Sequence, residues 1–181
     1  MNQILVLVGG ISKNSLNKKL FKAVQAQKPS DFTVEFFDIS KLPFFSQDLE
    51  AELPASVKEL KNLILKASGI LFITPEYNRS FPGVLKNALD WGSRPWGQNS
   101  WNQKPAGIIG ASVGNIGTFG AQHHLRQVLA YLNMPTLGQP EFYLNASHAF
   151  DDQGSLIDEK TKGFIDSFWK SYSAWVTKQQ V

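Results

Sequence analysis

Gly9-Gly-Ile-Ser-Lys-Asn-Ser-Leu-Asn17 sets two glycines ahead of hydroxyl, amide and amine side chains. Where such a turn opens a helix, unpaired N–H groups and the helix dipole favour an anion, a phosphate above all. Ser12, Ser15 and Asn17 would add donors, while an ordinary turn capped by Ser15 or Asn14 fits the same residues. Thr74-Pro-Glu-Tyr-Asn-Arg-Ser-Phe-Pro82 is dense in polar and ring side chains. Its backbone and Asn78 would hydrogen-bond a flat heterocycle, with Tyr77 as a wall. The plainer reading is a turn whose Glu76 and Arg79 are solvated. Gly110-Ala-Ser-Val-Gly-Asn-Ile-Gly117 leaves room for a ring against bare backbone. Together these loops describe a site for a mononucleotide. The spacings G-x-x-x-x-G-K-[ST] and G-x-G-x-x-G are absent, which disfavours a nucleoside triphosphatase or an ordinary dinucleotide dehydrogenase.

Such loops need elements that bring them to one place. Ile4–Val8 is a continuous apolar run, as expected of a strand covered on both faces. Leu16, Leu20, Ala23 and Val24 follow at helical spacing. Thr33–Ile39 partly alternates and suits a more exposed edge strand. Val57, Leu60, Leu63, Ile64 and Ala67 mark a second helix and Ile70–Ile73 a third strand. Pro82 stands at a helix start, with Val84, Leu85, Ala88 and Leu89 as the apolar face. Ala106–Ile109 reads as a fourth strand, Ala121 to Leu132 as a fourth helix and Glu141–Leu144 as a fifth strand. Phe164, Ile165, Phe168, Tyr172 and Trp175 carry a last helix. Five alternations predict a single α/β domain over residues 1–181, a three-layer sandwich with a five-stranded parallel sheet. The order 2-1-3-4-5 puts the half-exposed second strand at an edge and gathers the three loops beyond the carboxyl ends of strands one, three and four.

Composition narrows the chemistry. The 181 residues include no cysteine, which removes disulfides and thiol chemistry. A net charge of +3 is spread without a sustained basic helix, so a nucleic-acid partner is not expected; the nearest cluster is Lys13, Lys18, Lys19 and Lys22. No apolar run approaches the ~20 residues that span a bilayer, and no basic leader precedes Ile4, so a cytoplasmic protein without a membrane partner is expected. His123 and His124 are adjacent and would point apart on a helix, with His148 distant in sequence, so no metal site is expected. Pro95, Trp96 and Trp101 fall in a long connection where exposed aromatics would need a partner surface.

With these loops in hand, the chain resembles the NADPH-dependent FMN reductase family, which includes bacterial quinone, chromate and azo-dye reductases of flavodoxin-like fold. The resemblance is carried by Ser12-Lys-Asn-Ser-Leu-Asn17, Thr74-Pro-Glu-Tyr-Asn78 and Pro82-Gly-Val-Leu-Lys-Asn-Ala-Leu-Asp-Trp91. Gly117–Arg126 and Pro140-Glu141 extend it over nearly the whole chain. It implies that Ser12, Ser15 and Asn17 hold the FMN phosphate, with Lys13 and Leu16 also in the cofactor-binding loop. Pro75, Glu76, Tyr77 and Asn78 would line the ring, largely through backbone groups, and Ser112, Gly114 and Gly117 would close the other side.

The resemblance further implies NADPH or NADH as co-substrate, with hydride passing through FMN to a quinone, azo, flavin or metal-oxyanion acceptor in ping-pong fashion. No side chain is expected to act as a catalytic acid or base. Family members are homodimers or homotetramers. Gly120 and His123 stand where an arginine and a tyrosine join tetramer contacts in some members. The alternative is an FMN-binding electron carrier or a sensor domain without turnover, against which the positive charge and the Pro-Glu-Tyr-Asn loop argue.

Overall fold

A computed structural model describes residues 2–180. The apolar run at the start forms β1 (Asn2–Val8), followed by α1 (Leu16–Ala26), β2 (Phe32–Phe37) and α2 (Ala55–Lys66). Then come β3 (Gly69–Ile73), α3 (Gly83–Gly92), β4 (Ala106–Ser112), α4 (Phe119–Tyr131), β5 (Tyr143–Asn145) and α5 (Glu159–Lys178). All strand pairs are parallel and the sheet order is β2-β1-β3-β4-β5, the expected flavodoxin-like arrangement.

Strand periodicity of two splits the core into layers. Leu5 and Leu7 of β1, with Ile70, Phe72 and Ile108, face α2, α3 and α4, meeting Leu60, Ile64, Leu85, Leu89 and Leu125. Ile4, Val6 and Val8, with Leu71, Ile73 and Ile109, face α1 and α5, meeting Leu20, Val24, Ile165, Phe168 and Tyr172. Because both faces are covered, β1 and β3 carry unbroken apolar runs rather than alternation. β2 is only half buried, as suits its edge.

β5 begins later than the Glu141–Leu144 reading. The Glu141 N–H donates to the Gln139 side-chain oxygen Oε1 at 3.3 Å, so the chain is still turning there. The Phe142 carbonyl accepts both Gly110 N–H (3.3 Å) and the Gln122 amide (2.7 Å) before the register Gly110↔Tyr143 is established.

The tryptophan-rich connection is corrected more sharply. Trp101 is fully buried in its own chain, its indole N–H donating to Leu89 O at 2.9 Å and its ring 6.1 Å from that of Phe72. A Cβ at Gly92 would overlap the Trp101 indole, so the glycine that ends α3 makes room for it. Trp91 is likewise buried and donates to Pro43 O at 2.8 Å. Trp96 alone of the three is exposed, at 79%. The Lys61 ammonium holds this connection through the carbonyls of Arg94 (2.6 Å), Gln98 (2.8 Å) and Gly92 (3.3 Å). Trp101→Ala is expected to lower unfolding free energy by about 3–5 kcal/mol, whereas Trp96→Ala should stay within about 0.5 kcal/mol in the monomer. Urea denaturation of the two variants at low protein concentration checks this, and equal losses would contradict the assignment.

Candidate functional site

The carboxyl ends of β1, β3 and β4 lie side by side, with Gly9 N–H donating to Ile73 O (2.8 Å) and Thr74 N–H to Ile109 O (3.0 Å). The three loops leaving them are therefore neighbours from their first residue. Gly9 packs so closely that a Cβ there would sit 3.3 Å from Pro75 and 3.4 Å from Pro82. At Gly110 a Cβ would overlap Thr118 Oγ1 and the Thr74 carbonyl, which ties the second and third loops together. Gly117 combines a left-handed φ of 58° with an approach of 2.7 Å between a notional Cβ and the Tyr143 backbone, so only glycine fits.

Asn17 fixes the first loop. Its side chain is buried, donating to Ala111 O at 2.9 Å and accepting from Ala111 N–H at 2.9 Å. This fastens the start of α1 to β4 and commits the side-chain oxygen and one of the two amide hydrogens of Asn17. The unpaired backbone N–H of Asn17 is a further donor at the helix start. Leu16 offers only its backbone N–H, because its side chain packs in the layer under α1 and α5.

The backbone N–H groups of Ser12, Lys13, Asn14, Leu16 and Asn17 find no acceptor among the described residues. Ser15 is the N-cap by position, yet its hydroxyl makes no capping bond. It is buried over Gly10, where a Cβ would overlap Ser15 Oγ. The ordinary cap is thus not what the residue does. Successive unpaired donors at a helix start form a cradle for an anion, as a flavin phosphate requires.

The second loop is a tight hairpin. Tyr77 and Ser80 exchange both backbone hydrogen bonds, at 2.9 and 3.0 Å, across Asn78 (φ 52°) and Arg79 (φ 66°). Glu76 uses its side chain to brace the loop against α4: Oε2 accepts from Ala121 N–H at 3.1 Å and Oε1 pairs with Arg79 at 3.3 Å. What Glu76 offers a ring is consequently its backbone N–H, while exposed Asn78 offers both its backbone N–H and its side-chain amide. The hairpin seats on α4 where Gly120 has no side chain, since a Cβ there would lie 3.0 Å from Arg79 O. His124 Nδ1, 3.2 Å from Ser80 Oγ, adds a second tie.

In the third loop Ser112 shapes its own backbone, donating to Gly117 O (2.8 Å) and accepting from Gly114 N–H (3.1 Å). Gly114 N–H is therefore spent, whereas the N–H groups of Val113, Asn115 and Ile116 find no acceptor among the described residues. Sequence reasoning missed these three, along with Thr118 and Gln122, which bond each other at 2.9 Å behind the loop. Only long-range packing reveals them. Exposed Ile11, Tyr77, Val113, Ile116 and Phe119 give the loops an apolar rim.

His123 stacks on Phe119, with ring centroids 4.3 Å apart, and its Nε2 lies 3.2 Å from the Tyr143 hydroxyl and 3.7 Å from Glu141. Burial, then the Glu141 carboxylate, push the Tyr143 phenol above its usual range, so it stays protonated. Among the described residues no three histidine, aspartate or glutamate side chains converge as metal ligands.

Asn17→Ala would leave the buried Ala111 N–H and carbonyl unpaired and should cost about 1–3 kcal/mol of stability as well as weaken FMN binding. Ser15→Ala removes no protein hydrogen bond and should weaken FMN binding alone. Urea unfolding of both apoproteins, paired with FMN titration, tests the distinction; an Asn17→Ala variant as stable as the parent would overturn it.

Comparison with known proteins identifies the family. The family model for NADPH-dependent FMN reductases matches residues 2–149. A 2-hydroxy-1,4-benzoquinone reductase from a Burkholderia species is 47% identical, covering 99% of this chain and 98% of its own. A quinone reductase from Pseudomonas putida is 43% identical, covering 96% and 94%. The solved structure of FerB, a flavoenzyme NAD(P)H:(acceptor) oxidoreductase from Paracoccus denitrificans, superposes with a TM-score of 0.93 at 40% identity, covering 99% of each chain. The chain belongs to the NADPH-dependent FMN reductase family.

Proposed function

We propose that the protein binds FMN at the three loops and uses NAD(P)H to reduce a quinone-type acceptor, both substrates taking turns at one face. The observation that carries this reading is the row of unpaired backbone donors in all three loops at one end of the sheet. The donors of the first loop suit a phosphate dianion; those of the second and third loops suit the polar edge of a ring. FMN, when bound, supplies a two-electron relay between nicotinamide and acceptor.

The protein's own contribution is position and electrostatics. Backbone N–H groups held by Glu76, Asn17 and Ser112 are fixed before any ligand arrives, so they cost little reorganisation as negative charge develops on the ring. The rim of Ile11, Tyr77, Val113 and Ile116 is uncharged and apolar. It favours a flat neutral acceptor such as a quinone over a metal oxyanion. Two relatives named as quinone reductases point the same way. The chain has no second glycine-rich unit to seat the nicotinamide cofactor separately, which leaves one face for both substrates.

A homodimer fits the outer surface, with a homotetramer built on it as the larger alternative. Phe44, Trp96 and Tyr131 are 88%, 79% and 79% exposed, and Trp96 and Tyr131 line a cleft of about 590 Å³ with Phe45. Apolar surface of this kind is usually covered. No helix among the described residues is long and apolar enough to cross a membrane.

Initial rates of NADPH oxidation at several quinone concentrations should give parallel lines, each substrate inhibiting competitively in excess. Intersecting lines would contradict the shared face, and absence of turnover would leave an electron carrier or sensor instead. Light scattering at micromolar concentration should give at least a dimer, weakened by Trp96→Ala. A stable monomer would contradict the covered-surface reading.

A further inference from the structure

Beside the anion cradle lies a cleft of about 390 Å³ between the start of α1 and the turn that ends at Gly154. One wall presents Lys13 of the first loop and Lys18, Lys19 and Lys22 of α1, and Ser15 stands at the boundary with the cradle. Lys18 is occupied in holding the first loop, its ammonium donating to Ile11 O at 2.8 Å. The ammonium groups of Lys13, Lys19 and Lys22 meet no acceptor and no carboxylate within bonding distance among the described residues. Asp152 is the sole acidic residue lining the cleft.

Like charges three and four residues apart destabilise a helix, and Lys18, Lys19 and Lys22 are so spaced. An anion in the cleft would relieve that repulsion. The opposite wall is built to receive one of these side chains. Gly154 has a φ of 82°, and a Cβ there would come within 3.3 Å of the Lys19 stem, so bare backbone lets that stem lie against the turn. The turn itself is braced by Gly154 N–H to Asp151 O (2.9 Å) and Ser155 N–H to Asp151 Oδ1 (2.7 Å).

We propose that this cleft is a second phosphate subsite, continuous with the flavin-phosphate cradle, through which the protein accepts FAD as well as FMN. Contiguity selects the ligand. Lys13 and Ser15 belong to both places, so a group bonded directly to the flavin phosphate passes from one into the other. The distal phosphate and adenosine of FAD are such a group. The 2′-phosphate of NADPH is instead separated from its nicotinamide by most of the molecule. The volume suits a small-ligand site. This inference rests on the flavin-binding reading above.

Apoprotein is titrated with FMN and with FAD, followed by flavin fluorescence, for the parent and for Lys19→Gln combined with Lys22→Gln. The parent should bind FAD within about tenfold of FMN. Loss of two charge-assisted hydrogen bonds should weaken FAD at least tenfold while moving FMN less than about threefold. Raising ionic strength should lower the FAD-to-FMN affinity ratio of the parent. Equal weakening of both flavins, a ratio indifferent to salt, or a parent that binds FMN but not FAD would overturn the proposal. So would a fall in the NADPH-to-NADH ratio of kcat/KM with FAD binding unchanged, which would assign the cleft to the nicotinamide cofactor. Should the glutamine variant fail to fold, the salt dependence of the parent decides. A parent that binds neither flavin refutes the flavin-binding reading itself, a result distinct from all of these.

Discussion

Two hydrogen bonds between the Asn17 side chain and the Ala111 backbone hold the site's geometry together. They join the first turn of α1 to the last residues of β4 and so set the anion cradle against the third loop. Both bonds are buried, where a lost partner costs more than the bond is worth in water. The chain thereby uses this buried amide for positioning, and leaves backbone N–H groups of fixed direction open at the loops. Glu76 does the same for the second loop by fastening it to α4, and Ser112 for the third by bonding across its own turn. In each loop a polar side chain faces inward so that the backbone can face outward.

This division explains which parts of the molecule were legible in the sequence. The layers were, because apolar runs at Ile4–Val8 and Ile70–Ile73 and helical spacing at Val57–Ala67 report burial directly. The strand order followed from the half-exposed second strand. The three loops were legible by composition, and the family resemblance named their ligand. Individual roles were not. Asn17 and Glu76 look like ligands in sequence because their side chains are polar; nothing local says that their partners lie at Ala111 and Ala121. The donors at Val113, Asn115 and Ile116 are invisible for the opposite reason, since backbone groups carry no sequence signal.

The tryptophans show the same limit in the apolar direction. Trp91, Trp96 and Trp101 are indistinguishable by type and lie within eleven positions of one another, yet Trp96 is exposed while the others are core. The difference lies at Gly92, whose missing side chain admits the Trp101 ring, and in carbonyls at Pro43 and Leu89 that accept the two buried indoles. The exposed aromatic surface is consequently narrower than the sequence suggests, with Trp96 and Tyr131 both 79% exposed.

A relay of electron pairs from reduced nicotinamide to an acceptor through one site is tested most directly by following the visible absorption of the FMN-loaded protein without oxygen. One equivalent of NADPH should bleach the flavin bands, and one equivalent of a benzoquinone added afterwards should restore them. Flavin bands that persist after NADPH is added would contradict the account.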